Sequence, residues 1–494
     1  MKKIISLHHW LGTFFCALFL IWFLSGFVMM YQSFPHLSQT ERIEMLSNGV
    51  NTDILPPNTV FKNDTSSEIS QLRLNYVLNR PVFHLVTDQG MLFSKYADNG
   101  KKMKLTKETA LKIAIKNTKI TANSTTQILT ELDQWIPRTK YLPHMPIFKI
   151  EFEDKNNTLV YISSVTGELL AMNTSSERFW SWLGAIPHWI YFKDIRIHNT
   201  LWRQLVTWLA TLGFIMVITG IITGLVRYKK KPKAKFKRFK NKWYNYHYYF
   251  GLFFGVFVCT WIFSGWMSMT PFGWTPSTQL QKEEVLKWQM QKHTINYYDE
   301  DSWSSFLNQL KEKKFKEVSF NFFQNNVYAQ VFFQNTSSLY SLYSTNPSLS
   351  IDNYQKVVHS FSPENEVKES ILLKEYDNYY YSRHNDKDLP IIRIKTIKDI
   401  TYYINPKTTQ VVYKCATKNK IQRWIYHGLH SLDFSFLAWN RPLWDIVLFI
   451  LLTGGTVLSF SATGLGIKFI KRKNRRRRKR KEKKFKKKEE SYIS

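Results

Sequence analysis

The chain has 494 residues, enough for about three domains of ordinary size, and 69 basic against 37 acidic residues give it a formal net charge of +32. Three clusters, Lys2–Lys3, Arg227–Trp243 and Lys468–Lys488, hold 28 of the basic residues, with three acidic ones in or just after them, and so supply 25 of the 32 charges. Each cluster flanks a long apolar run, which is how membrane proteins mark their cytoplasmic side; a nucleic-acid partner is therefore not expected. Two of the three cysteines, Cys16 and Cys259, fall inside apolar runs and leave Cys415 alone, so no disulfide is expected within either outer domain.

In chain order, the first apolar run is Leu11–Tyr31, and residues 1–31 read as a transmembrane helix. A cleaved signal peptide would also begin with Lys2 and Lys3, but no small-x-small cleavage pattern follows, so the helix is expected to be retained. Residues 32–176 have the pattern of a small α+β domain. A strand is expected at Arg80–Leu85, and a helix over Leu105–Asn117 with Thr106 as N-cap. Strands follow at Pro146–Phe152 and Thr158–Ile162, before the turn Val165-Thr166-Gly167-Glu168. Residues 177–228 read as an interfacial helix and the second span, Leu205–Tyr228, and 229–246 as a basic loop.

The third span lies in 247–269, with its apolar part at Tyr249–Met269. A second α+β domain is expected over 270–418, with strands at Val318–Phe323, Val327–Phe333, Leu389–Ile394 and Ile400–Ile404 and a helix at Ile351–Ser360. Residues 419–469 read as an interfacial helix and the fourth span, Leu443–Phe469, and 470–494 as a basic tail suited to anionic lipid or to solvent. The basic clusters put both termini and the loop inside, with Gln32–Arg203 and Thr270–Pro442 outside.

The chain repeats itself. His8 precedes Gly12 by four residues and Ser25 by seventeen, and His247 precedes Gly251 and Ser264 by the same intervals. Tyr161, Trp182, His188 and Trp202 recur, 242 residues on, as Tyr403, Trp424, His430 and Trp444. Asp133 and Pro146 recur as Asp377 and Pro390 at an offset of 244. The expected fold is an α-helical membrane protein with four transmembrane helices in two pseudo-repeated halves, each half carrying an α+β extracytoplasmic domain.

The helix Leu105–Asn117, the strands after it and the Val165-Thr166-Gly167-Glu168 turn resemble a PepSY domain. His8-His9-Trp10-Leu11-Gly12 (His-x-Trp-Leu-Gly), Ser25-Gly26, the closing Trp424 and His427-Gly428-Leu429-His430, and Tyr379-Tyr380-Tyr381-Ser382-Arg383-His384 are similar to the PepSY-associated transmembrane family. The likeness covers nearly everything but the basic tail. It departs at Thr409, where the second turn usually has glycine. The resemblance implies a bacterial inner-membrane protein of iron acquisition, in a family whose members include haem-containing reductases of ferric siderophores.

Of 13 histidines, His36, His84, His144, His293, His359 and His384 lie in polar outer segments and read as surface or core residues. His198 is set aside because its counterpart at offset 242 is Asn440. Six remain: His8, His188, His247 and His430, and beside them His9 and His427. Imidazole is a usual axial ligand of haem iron, and histidine at a membrane span is costly unless it has a partner or a function. His8 and His247 start spans that run outward, whereas His188 and His430 precede spans that run inward. A span of about 20 residues separates the two levels by roughly 30 Å. The consistent pairing is His8 with His247 and His188 with His430, with His9 and His427 as the nearest substitutes; Trp182 and Trp424 could pack on a porphyrin.

Two haems of b type are expected, because no Cys-x-x-Cys-His attachment site is present. They would carry electrons to a ferric siderophore, or similar chelate, in a cleft between the two outer domains. No glycine-rich dinucleotide fingerprint is found, so the donor would be the quinone pool or a cytosolic flavoprotein. Two rivals remain: a PepSY-type binding or regulatory module acting on peptidases, which would be colourless, and a transporter, for which the uncharged spans offer no polar path.

Overall fold

The computed structural model describes residues 1–49, 54–62, 64, 68–230, 239–344, 347, 349–362, 366–382 and 387–493. His384 and part of the basic loop lie outside them. The chain divides into two compact units, one of 1–34, 179–274 and 422–494 and one of 35–178 and 275–421.

The first unit is built on four long helices, α1 (Lys2–Met29), α2 (Asn199–Lys230), α3 (Lys242–Ser268) and α4 (Leu443–Ile493). All four are long and apolar enough to cross a membrane. A spanning segment in lipid must satisfy its own backbone groups, which a helix does. They form a ring in which α1 and α3 each touch both α2 and α4, so α1 faces α3 across a diagonal. Phe15, Phe19 and Phe23 of α1, Met216 and Val217 of α2, Val258 and Trp261 of α3, and Leu448, Leu451 and Leu452 of α4 fill the middle. Gly455 lets the helices close, since a Cβ there would sit 2.4 Å from the Phe23 ring.

Two details differ from the sequence reading. The third helix, α3, begins at Lys242 rather than at 247, which puts His247 inside its first two turns, as His8 is in α1. The basic tail is no separate segment: α4 runs on as one helix of 51 residues. Lys, Arg and Glu are good helix formers, and Arg478 pairs with Glu482 at 3.0 Å, one turn on.

The second unit combines β-sheets with shorter helices, so the expected α-helical class describes the spans and the expected α+β class the outer segments. β1 (Ile69–Val77), β2 (Arg80–Thr87) and β3 (Leu92–Tyr96) are followed by the helix Lys107–Thr118, whose Thr106 side chain accepts from the Thr109 N–H. β4 (Ser124–Leu129), β5 (Ile147–Phe152), β6 (Leu159–Ser163) and β7 (Leu169–Asn173) form an antiparallel sheet in sequence order. From the later segment come β8 (Glu317–Phe323), β9 (Asn326–Phe332) and β10 (Ser337–Ser341), then the helix Ile351–Ser360. β11 (Val367–Leu373), β12 (Ile391–Thr396), β13 (Thr401–Asn405) and β14 (Gln410–Cys415) repeat the four-stranded order.

The outer segments are not two separate domains. β1 pairs with β8, setting Leu72 against Phe320 and Leu74 against Val318, and six strands run β10-β9-β8-β1-β2-β3 in one sheet. An unpaired strand edge invites a partner, and here each segment closes the other's. Trp303, Phe306, Phe83 and Phe320 lie in the shared core.

A cluster of four buried charges also ties the segments together. Arg42 donates to both oxygens of Glu317, at 2.8 and 2.5 Å, and Arg73 to both oxygens of Glu168, at 2.5 and 2.9 Å. Cross-contacts Arg42–Glu168 and Arg73–Glu317, both 3.1 Å, close the square. Asn75 donates to Glu168 and accepts from His84 Nε2, whose Nδ1 meets the Ser94 hydroxyl at 2.8 Å. Burial holds His84 down to about 4, so it is a neutral core histidine. His293 is likewise held by the Tyr298 hydroxyl at 2.8 Å.

Candidate functional site

The bundle brings four of the six remaining histidines together in two facing pairs. The His8 and His247 ring centres are 6.2 Å apart with planes at 35°, and those of His188 and His430 are 6.2 Å apart at 75°. His8 and His247 stand on the diagonal helices α1 and α3. The second pair is carried by short segments laid against the far ends of those helices. Seventeen residues separate His8 from Ser25, the residue that His188 touches, so the pairs lie about 25 Å apart along the axis.

Local structure explains how each histidine arrives. His188 sits in the short helix Ala185–Trp189 after Gly184, where an added Cβ would lie 2.8 Å from Val28 of α1; only glycine lets this segment come so close. His430 comes just after a π turn, Trp424–Gly428. One extra residue in such a turn rotates the downstream side chains by about 100°. Two tryptophans then clamp the residue after each histidine. Trp202 Nε1 donates to the Trp189 carbonyl at 2.8 Å, and Trp444 Nε1 to the Ser431 carbonyl at 2.9 Å. At the other end His8 lies on Gly220 of α2, where a Cβ would come within 2.7 Å of its ring.

Each imidazole directs Nδ1 at oxygen acceptors on a neighbouring long helix. His8 Nδ1 is 3.1 Å from the Met216 carbonyl, and His247 Nδ1 is 3.4 Å from both the Leu458 carbonyl and the Ser461 hydroxyl. His188 Nδ1 is 3.0 Å from the Ser25 hydroxyl. His430 Nδ1 is 3.0 Å from the Ser264 hydroxyl and 3.2 Å from the Trp261 carbonyl. A carbonyl oxygen only accepts. Ser25, Ser264 and Ser461 already donate to the carbonyls of Trp22, Trp261 and Leu458, so their oxygens are left to accept as well. All four Nδ1 atoms therefore carry the proton. The Nε2 lone pairs stay free, with no hydrogen bond to any of the described residues.

A metal bonded at about 2 Å to an imidazole nitrogen lies about 3 Å from the ring centre, so two rings sharing it have centres roughly 6 Å apart. Both pairs have that spacing. Among the described residues no group of three or more His, Cys, Asp or Glu side chains is placed to hold an ion. A bare ion, which needs about four ligands, is not served by two. A metal that brought other donors with it would need only two more from the protein, which is the number of imidazoles in each pair.

The substitutes behave differently. His9 turns to Phe469 at 6.0 Å, and His427 meets the edge of Tyr426 at 4.8 Å. Tyr426 also stacks on His430 at 5.5 Å, a contact the sequence reading missed. Trp182 approaches Phe192, and Trp424 lies parallel to Phe434 at 5.9 Å. Ser461 went unnoticed, although a hydroxyl in an apolar span always needs an acceptor and so marks a position to inspect.

Residues 5–300, more than half of the chain, match the model of a family described as the PepSY-associated TM region. The match takes in His8, His188 and His247. No curated protein matches the chain.

Proposed function

The chain belongs to the PepSY-associated transmembrane family and is a multi-pass membrane protein; on that premise we propose that it carries electrons through the membrane on two b-type haems to reduce a ferric siderophore or a similar ferric chelate. The observation that carries this reading is the doubled one: two facing histidine pairs, each 6.2 Å apart, at opposite ends of one bundle. His8 with His247 would hold one haem, and His188 with His430 the other. Their free Nε2 atoms and neutral tautomer are what axial ligation asks for. Two buried indole N–H groups, Trp22 and Trp266 Nε1, have no acceptor among the described residues. Haem supplies a one-electron carrier at each end.

The basic clusters support an inner-membrane protein with both termini in the cytoplasm and the β-rich unit outside. The reductant, a quinol or a reduced flavoprotein, would then give one electron at the His8–His247 end for each Fe(III) converted to Fe(II) beyond the His188–His430 end. Fe(II) is held less firmly by the hard oxygen donors of such chelates. The basic end of α4 would rest on anionic lipid.

Detergent-purified protein should absorb in the visible with a dithionite-induced change, and a pyridine haemochrome assay should give about two haems per chain. In vesicles with pre-reduced protein, a ferric hydroxamate or catecholate on the β-rich side should reoxidise the haem faster than buffer and oxygen do. A colourless protein ends the redox reading and leaves the peptidase-directed binding module. Coloured protein that ignores ferric chelates keeps the wire and loses the substrate.

A further inference from the structure

We propose that Ser25, Ser264 and Ser461 are positioning residues, which fix the tautomer and direction of His188, His430 and His247 so that each presents Nε2 toward its facing ring. This rests on the haem reading for its purpose, but its geometry is independent of it. Each serine makes the same two contacts. Its hydroxyl donates to the carbonyl three residues back, at 3.0, 3.0 and 2.7 Å. Its oxygen then accepts from a histidine Nδ1 more than 160 residues away in sequence, at 3.0, 3.0 and 3.4 Å.

The ordinary explanation for serine in an apolar helix is the back-bond alone, which satisfies the hydroxyl locally. That explains why serine is tolerated, not why three of them meet a histidine. It also leaves each oxygen with an unused lone pair, which the imidazole N–H fills. Ser25, Ser264 and Ser461 are themselves buried, so water does not compete for that lone pair. Thr219 completes the pattern in reduced form. It donates to the Met216 carbonyl at 2.8 Å, and it is that carbonyl which His8 contacts. The serine contacts are shorter at the His188–His430 end, where both hydroxyls lie at 3.0 Å, so the effect should be larger there.

A hydrogen bond accepted from the far nitrogen of a ligating imidazole fixes its orientation and makes it a better electron donor to the metal. The closing experiment uses full-length protein and three readouts: haem content, the reduction midpoint of each haem, and histidine side-chain 15N shifts of haem-free protein. Ser25→Ala with Ser264→Ala should raise the midpoint of the outer haem, leave the inner midpoint where it was, and weaken outer haem retention by roughly 10–100-fold. Ser25→Thr with Ser264→Thr keeps a hydroxyl at each position and should restore both. If wild type holds two haems and the alanine variant matches it in midpoint and retention, the positioning role is wrong and the haem reading stands. If wild type holds none, the haem reading fails, and the 15N shifts decide the positioning role. Wild-type His188 and His430 protonated at Nδ1, with 15N shifts that move in the alanine variant, support it; unchanged shifts overturn it.

Discussion

Replacing Glu317 with glutamine is expected to cost the β-rich unit about 3–5 kcal/mol, because it leaves a buried arginine pair short of one negative charge. Glu317 and Glu168 are almost wholly buried, and Arg42 and Arg73 meet them from α-helical and β-strand positions far apart in the chain. Charge without a partner at such a site keeps its desolvation cost and loses the attraction that offset it. Arg73→Met should be about as harmful, whereas Arg73→Met combined with Glu168→Met should cost less than the two singles together. Thermal melting of the detergent-purified variants measures this, with a fall on the order of 10 °C for each single change. A shift within a degree or two would mean that the square contributes little.

The same cluster sets a pH dependence. Burial pushes the Glu168 and Glu317 carboxyls up, but the guanidinium groups of Arg73 and Arg42 outweigh it and hold both below the ordinary value of 4.5. A carboxyl depressed in the folded state contributes stability that is fully present above 4.5 and disappears as pH falls through its lower native value. Melting temperature should therefore stay level from neutral pH down to about 5 and fall below that. In Glu317→Gln the acid fall should be shallower, since one of the two linked groups is gone.

The parts legible in the sequence were those written in local periodicity. The four spans, the helix Ile351–Ser360 and the Thr106 cap stand where residue pattern alone puts them. The six-stranded sheet was not legible. Its central pairing joins Leu72 to Phe320, and nothing near either residue signals the other. The charge square was hidden for the same reason, as Arg42 and Glu317 are 275 positions apart. For the histidines, doubled spacing stood in for an alignment: His8 with His247 and His188 with His430 are indeed neighbours. What spacing could not supply was the oxygen acceptor behind each ring, because that depends on how helices rotate against one another. Ser25 and Ser264 were noticed as marks of the repeat, but their contact with Nδ1 belongs to the packed bundle.

The largest functional effect should come from removing either member of either pair. His430→Ala should lower haem content from about two per chain to about one and abolish reoxidation by a ferric chelate added on the β-rich side. Chemical reduction of the remaining haem should be unaffected. His247→Ala should also leave about one haem, at the opposite end, and should stop electrons entering from a quinol. The roughly 25 Å between the levels is what makes these outcomes separable, since no histidine of one pair can replace a lost ligand in the other. Gly220 gives an independent check that removes no histidine from the sequence. A methyl group there would fall 2.7 Å from the His8 ring, so Gly220→Ala must displace that imidazole and strain its bond to the Met216 carbonyl. Its spectrum should therefore approach that of His247→Ala, with the His188–His430 signal intact. If Gly220→Ala or His247→Ala instead bleached both sites while the protein still eluted as a folded species, the two pairs would not be separate centres, and a single shared cofactor would have to be sought.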